Sequence, residues 1–481
     1  MPPVGPAATS AAGEVGWLGS RPRPWLLAGA GAGTALVVGV VAASDLKMAV
    51  GLVVVAALVV AVLLRPLVGA LVLVAVVPVT SGLAPGYPLP HLRVAEVVIG
   101  LVGVTMIVSA RRRHSVPWRP LDWALLAYGV GWATLGASAA LEGGQHLSVA
   151  DWGTVAGQLQ FFLLYRAIRL GVRTAGDRRL ALGVLVASSV PVSLLAIGQE
   201  LRVPGVSSLV TAITGGLAAS GTAASAGSLQ RATGPFDNWA ALAGYLLPIL
   251  LVLIAAATAG VPAARLRWFV AAGLAATVAI LCTAEQSAIV CLVVGALVLA
   301  GRYGGGRYRR AVRWGSVAVV VAAAGLLASR VAAELSATPG SGRVSWVPQT
   351  LSFRWSIWTG QYFPAIASHL ATGYGVILPP SIRWPYPESQ YVALLVEGGV
   401  VILALFGVLV WAMLRACRDA RRAEDPLVQS TGRALTIAVV ALVVMNLTWP
   451  FLSNGGLPQV LWCLLAIVAS GTAPRPRWSG L

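Results

Sequence analysis

Three residues in this chain set a charge or a proton acceptor beside a turn-forming or rigid stretch: Arg231, Arg354 and Glu388. Arg231 opens the run RATGPFDN, which leads directly into a long apolar segment. An arginine beside the free backbone N–H groups of a helix N-terminus suits a phosphate or diphosphate, because its planar fork engages two oxygens at once. Arg354 offers the same chemistry from a distant run, LSFRWSIWTGQYFPAI. A diphosphate has oxygens enough for both. Glu388 follows a stretch stiffened by Pro379, Pro380, Pro385 and Pro387. Pro387 fits the first position of a helix and Glu388 the next, where the helix dipole favours a carboxylate that can take a proton from a hydroxyl group. Each residue also has a plainer use. An arginine at a lipid boundary snorkels, and a glutamate after proline caps a helix.

The elements that must position these side chains are hydrophobic. The 481 residues are 58% hydrophobic and 10% charged, whereas soluble globular domains are about a quarter charged. Apolar runs of about 20 residues recur from end to end, the length that crosses a hydrocarbon core of roughly 30 Å. The pattern predicts an all-α polytopic membrane protein with about 14 (12–14) transmembrane helices, at 25–43, 48–64, 67–83, 94–109, 121–140, 152–170, 180–200, 238–259, 266–282, 284–301, 313–329, 388–414, 433–449 and 456–472. Residues 1–24, rich in Pro, Gly, Ser and Ala, read as a disordered cytoplasmic tail. Residues 25–472 form a single transmembrane domain, and 473–481 a second cytoplasmic tail.

A net charge of +18 would point to nucleic acid in a soluble chain. Its placement here points to topology, and no nucleic-acid partner is expected. With the N-terminus inside, the arginine clusters at 111–119, 169–179, 302–313 and 415–422 all fall on the inner side. There they orient the chain and meet anionic lipid. Only Lys47, Arg93, Arg202, Arg231, Arg330, Arg343, Arg354 and Arg383 face outward, most of them in two long outer loops, 201–237 and 330–387. The first loop begins with a low-complexity stretch, Gly205 to Ser228, read as a flexible cover. In the second, Leu351, Trp355, Trp358, Tyr362 and Ile366 recur at helical spacing, with Arg354 and Gln361 on other sides. This predicts an amphipathic helix lying along the outer interface.

Other chemistries lack their residues. No phosphate-loop, HExxH, GxSxG or paired-aspartate signature occurs. Cys282, Cys291, Cys417 and Cys463 have no metal-binding spacing, and neither do His91, His114, His146 and His369. No metal and no cofactor is expected. Glu285 and Gln286 interrupt apolar sequence near the outer face, either as a turn or as part of a cavity lining. Glu397 lies nine residues beyond Glu388 and so points the opposite way on a helix, toward helix packing.

Taken together, the three outer motifs resemble the O-antigen ligase and Wzy-type polysaccharide polymerase family of membrane glycosyltransferases. The resemblance spans Arg231 to about Leu409. Arg231, Gly234, Phe236 and Asn238 match an arginine, glycine, phenylalanine and asparagine entering a helix; Trp239 and Ala240 depart from the usual proline and asparagine. Glu285-Gln286-Ser287-Ala288 lacks the arginine of the next family element. Arg354, Trp358, Pro364 and Gly373-Tyr374-Gly375 match the large-loop pattern. Glu388-Ser389, nine residues and Gly399 match the last element, with glutamate where the family has histidine, and Tyr391 and Glu397 also stand at family-like places.

The resemblance implies an inverting, metal-independent glycosyltransferase of the cell membrane, working on its extracytoplasmic face with a polyprenyl-diphosphate-linked oligosaccharide as donor and a glycan acceptor. Arg231 and Arg354 would hold the diphosphate, and Glu388 would accept the proton of the acceptor hydroxyl. Arg343, Arg383, Asn238, Gln390 and Tyr391 are candidate substrate contacts. The glutamate in place of histidine favours a polymerase over a ligase that transfers glycan to lipid or protein. Two rivals of other classes stand beside it: a transporter or flippase of lipid-linked glycans, and a scaffold without catalysis.

Overall fold

The apolar runs fold as helices because a backbone away from water must satisfy its own N–H and C=O groups. The computed structural model of the chain describes residues 46–84, 92–111, 116–142, 146–216, 231–258, 263–303, parts of 314–328, 349–453 and 455–472. All the regular elements among these residues are helices. Four are long and apolar enough to cross a membrane: Ala175–Glu200, Trp239–Ala257, Gln390–Ala420 and Pro426–Met445. Shorter apolar helices stand at Val53–Leu64, Pro66–Thr80, Val94–Ser109, Arg267–Thr283, Gln286–Gly301 and Leu457–Ala469. The expected segment 25–43, both tails and Arg343 lie outside the described residues.

The last helix is the axis. Leu457–Ala469 is buried at every position, as expected of a helix that is hydrophobic all round. It packs on Pro66–Thr80, Leu159–Gly171, Trp239–Thr258, Gln390–Ala420 and Pro426–Met445. Trp462 meets Tyr165 edge-to-face at 6.4 Å. Trp239–Thr258 is nearly as enclosed and carries Ala263–Thr283, Gln286–Tyr303 and Pro426–Met445 against its flanks. The candidate residues at 231–238 and 388–391 therefore enter helices rooted in the centre of the bundle.

Three expectations are corrected. The run 152–170 is two helices, Val149–Ala156 and Leu159–Gly171, broken by a turn at Gly157 and Gln158. Glycine loses the most backbone freedom in a helix and so gives way there. The start of the first long loop is not a flexible cover throughout, because Val206–Ile213 is helical and buries Val210. Finally, two of the arginines assigned to lipid contact, Arg169 and Arg178, turn inward instead, as does Arg166, which falls within the expected span 152–170. Arg166 and Arg169 both pair with the fully buried Asp122, the former at 3.1 Å, and Arg178 pairs with Asp425 at 3.0 Å. A buried guanidinium requires a carboxylate partner, and Asp122 supplies one in the first turn of Pro120–Glu142.

Candidate functional site

The turn that carries Arg231 is shaped by backbone capture. The Gln199 side-chain carbonyl accepts from the N–H groups of Thr233 at 3.0 Å and Gly234 at 3.1 Å, and the Ala232 N–H donates to Cys282 O at 3.0 Å. Gly234 sits at φ +55°, the left-handed region where glycine pays no Cβ penalty. Asn238 Oδ1 accepts from the Ala241 N–H at 2.8 Å. It thus caps Trp239–Thr258. Its Nδ2 donates to Asp237 at 2.9 Å. Burial pushes the Asp237 carboxyl up, and Arg93, 3.8 Å away, pulls it back. The Arg231 guanidinium lies 4.5 Å above the Trp239 ring. The Trp239 indole N–H donates to Glu285 at 3.2 Å, and Ser287 Oγ donates to the same carboxylate at 2.8 Å.

The second loop builds its own frame. Residues 349–368 form one helix with a π turn at Trp358–Tyr362. The extra residue rotates the apolar stripe part-way along. Tyr362 and Ile366 are buried with Ile357 and Ala365, while Leu351 and Trp355 are exposed, so the five-residue stripe does not face one way. From this helix the proline-rich segment is hung by three side chains. Trp358 Nε1 donates to Pro387 O at 2.6 Å and Tyr362 Oη to Trp384 O at 2.7 Å. Gln361 Oε1 accepts from the N–H groups of Arg383 and Trp384 at 2.8 and 3.1 Å.

The glycines of both motifs meet at one junction. Gly399 breaks the Gln390–Ala420 helix with φ +62° and ψ −163°, which frees helix carbonyls before it and N–H groups after it. Residues 370–375 satisfy them. Tyr374 and Gly375 donate to Val396 O and Glu397 O, each at 2.8 Å, and Val400 and Val401 donate to Leu370 O and Ala371 O at 2.9 and 3.4 Å. A Cβ at Gly399 would stand 2.2 Å from Ala371 O, and one at Gly373 would stand 2.5 Å from the Glu397 carbonyl carbon. Glu397 itself lines a small apolar enclosure with Trp132, Gly375 and Ile402.

Between these two anchorings stands Glu388. It is not in the first turn of the helix as expected: Ser389 is the N-cap, and the helix starts at Gln390. Glu388 adopts φ +55°, a left-handed backbone that costs a non-glycine residue on the order of 1–3 kcal/mol. The neighbours impose it. Pro387 O is held by Trp358, while the Ser389 hydroxyl and the Gln390 N–H both donate to Asn446 O, at 3.2 and 2.9 Å. Arg354 pairs with the Glu388 carboxylate at 3.5 Å, both side chains largely buried. Burial raises the proton affinity of Glu388. Arg354 and a hydrogen bond from Trp384 lower it, and the Glu285 carboxylate raises it again.

Glu285, which accepts from Trp239, is thus close enough to Glu388 to raise its proton affinity, and the Trp239 ring in turn lies beneath Arg231. The other candidates sit differently. Arg383 is exposed beside Trp384 and Tyr386, whose rings lie 5.8 Å apart. Gln390 binds the backbone N–H of Leu452 at 3.1 Å and the Ser453 hydroxyl, and Tyr391 Oη donates to Val443 O at 2.7 Å. These two side chains tie the helix entrance to its neighbours. Trp239 and Gln361 are not among the expected site residues, and Glu285 is expected either in a turn or in a cavity lining. For Glu285 the turn reading holds, after Ala284 at φ +51°, yet its carboxylate also faces Trp239, a pairing across 46 positions that no local pattern carries.

No group of three or more His, Cys, Asp or Glu side chains that could hold a metal ion occurs among the described residues. In comparisons with known proteins, the sequence matches no family model and no curated protein.

Proposed function

We propose that this chain is a multi-pass glycosyltransferase of the cell membrane, with about fourteen spans, cytoplasmic termini and an extracytoplasmic site, which polymerises glycan from a polyprenyl-diphosphate carrier. One observation carries the reading: the Arg354–Glu388 pair, in which a carboxylate on a left-handed backbone is held 3.5 Å from a guanidinium and near the second arginine-bearing loop. Strained, over-determined backbone at a paired, half-enclosed acid is where catalytic groups collect.

In the resting pair Arg354 neutralises Glu388. The donor's diphosphate competes for that guanidinium and for Arg231, and its arrival frees the carboxylate. Glu388 then takes the proton of the acceptor hydroxyl as that oxygen bonds to the anomeric carbon from the face opposite the leaving group. The bond from the anomeric carbon to the phosphate oxygen breaks, and its electron pair leaves on the lipid diphosphate, where both arginines stabilise the charge. The configuration inverts, and no metal takes part. Trp384 and Tyr386, exposed beside Arg383, offer ring faces and a charge to a sugar chain.

The test is chain extension by purified protein supplied with lipid-linked oligosaccharide. Glu388→Gln is expected to slow extension by about 100-fold or more, and Arg354→Ala to slow it comparably. Parent-like extension by both variants overturns the proposal. Transfer of a single glycan to a lipid or protein, without extension, replaces it with the ligase reading, and movement of donor across the bilayer without bond formation replaces it with the transporter reading.

A further inference from the structure

The longest helix ends far from Glu388. The 31 residues of Gln390–Ala420 span at most about 45 Å at 1.5 Å each. The exposed positions along it follow the helical period. Val401, Ala404, Val408 and Trp411 are exposed in turn, and the next two members of the same stripe are Arg415 and Arg418. On the adjacent Pro426–Met445 helix, Val440 and Val444 are exposed on the way to the half-buried Thr436. A stripe that stays apolar for three turns and then becomes basic matches a surface that passes from hydrocarbon to headgroups.

Where the stripe changes character, the end of Gln390–Ala420 lines an open cavity of about 440 Å³ to which Thr436 of the neighbouring helix also contributes, within the range of about 300–1,000 Å³ common for small-ligand sites. Its walls include Arg415, Arg418 and Arg421 against a single carboxylate, Asp419, with Trp411 and Leu414 on the apolar side. Arg415 stacks on Trp411 at 5.4 Å, so one side chain reaches both the charged and the apolar wall. The hairpin beneath is firmly built. A Cβ on Gly432 would stand 2.7 Å from that of Ala420, and Arg178 holds Asp425 at 3.0 Å.

We propose that this cavity binds the phosphate headgroup of an anionic phospholipid, with the acyl chains lying along the stripe from Val401 to Trp411. A free phosphate would use the same arginines but leave the stripe without a role; the continuity of apolar and basic surface selects the lipid. The site is remote from the Arg354–Glu388 pair and independent of the reaction proposed there.

The test uses the purified full chain in a neutral detergent, with bound lipid counted by native mass spectrometry. Phosphatidylglycerol is expected to bind saturably and to exceed phosphatidylcholine at equal concentration. The double variant R415Q/R418Q is expected to weaken phosphatidylglycerol by about 25-fold, from about fivefold for each arginine removed. R415K/R418K, which keeps the charges, should retain most of the binding, and R422Q, whose exposed arginine lies outside the cavity, should retain all of it. Equal binding of the two lipids, parent-like binding by R415Q/R418Q, or displacement of the lipid by millimolar inorganic phosphate overturns the proposal.

Discussion

Glu388 combines two features that pull in different directions. Its left-handed backbone costs stability, and the ion pair with Arg354 returns little of it, since burying the two groups offsets their attraction. Glu388→Gly relieves the backbone by about 1–2 kcal/mol and loses the pair, so the melting temperature in detergent is expected to hold or rise while chain extension disappears. A fall of several degrees would show that the carboxylate serves the fold. The pH dependence follows from the same surroundings. Burial sets the Glu388 carboxyl above its ordinary 4.5 in the folded chain, so the folded state binds the proton more tightly than the unfolded one. Its contribution to stability is complete below the unfolded value and is lost as pH rises through the folded one. Activity needs the ionised form, so the acid limb of the pH–rate profile should lie above the range of an exposed glutamate. Because Arg354 lowers the proton affinity of Glu388, residual activity in Arg354→Ala should show that limb moved to higher pH. A limb that stays in place would separate the pair from the chemistry.

The elements explain how the residues are held. The 349–368 helix suspends the proline-rich segment through Trp358, Gln361 and Tyr362, and the 370–375 turn splices into the break at Gly399. Glycine is required at that splice. Gly399→Ala places a methyl group 2.2 Å from Ala371 O on a positive-φ backbone and should cost at least about 2 kcal/mol. Gly407 provides the contrast, since it lies in the same helix with nothing near its missing Cβ. Gly407→Ala should raise stability by up to about 1 kcal/mol. Thermal melts of both variants check the pair. The motif glycines were legible in the sequence as turn signals, and the helix at 349–368 as a periodic stripe. The π turn was not, because one inserted residue alters which side chains face inward without altering their order.

At the scale of the whole molecule, the bundle is organised around Leu457–Ala469 and locked at one end by Asp122. Arg166 and Arg169 converge on that buried carboxylate, and their Nη2 groups donate to Val116 O and Pro117 O respectively. Asp122→Asn removes the counter-charge from two buried guanidinium groups and should cost about 3–5 kcal/mol, read as a lower melting temperature and poorer recovery from the membrane. Little change would mean that water already reaches the cluster. Of the two arginines, only Arg169 was visible in the sequence as inner-loop charge. Their turning inward was not, because Asp122 lies 44 and 47 positions before its partners.

Composition and periodicity by themselves determined a helical chain rich in apolar segments, and where most of those segments begin and end, because helix length and hydrophobicity are local properties. They also brought Arg231, Arg354 and Glu388 forward, since charge beside turn-forming residues is conspicuous in so apolar a chain. Only the tertiary structure decided that Glu388 stands outside its helix in a left-handed backbone, that Arg354 is its partner, and that Trp239 lies between Arg231 and Glu285. Those outcomes rest on contacts between segments tens of positions apart. Their geometry is set by how helices pack around a common axis, and no local run of residues encodes that packing.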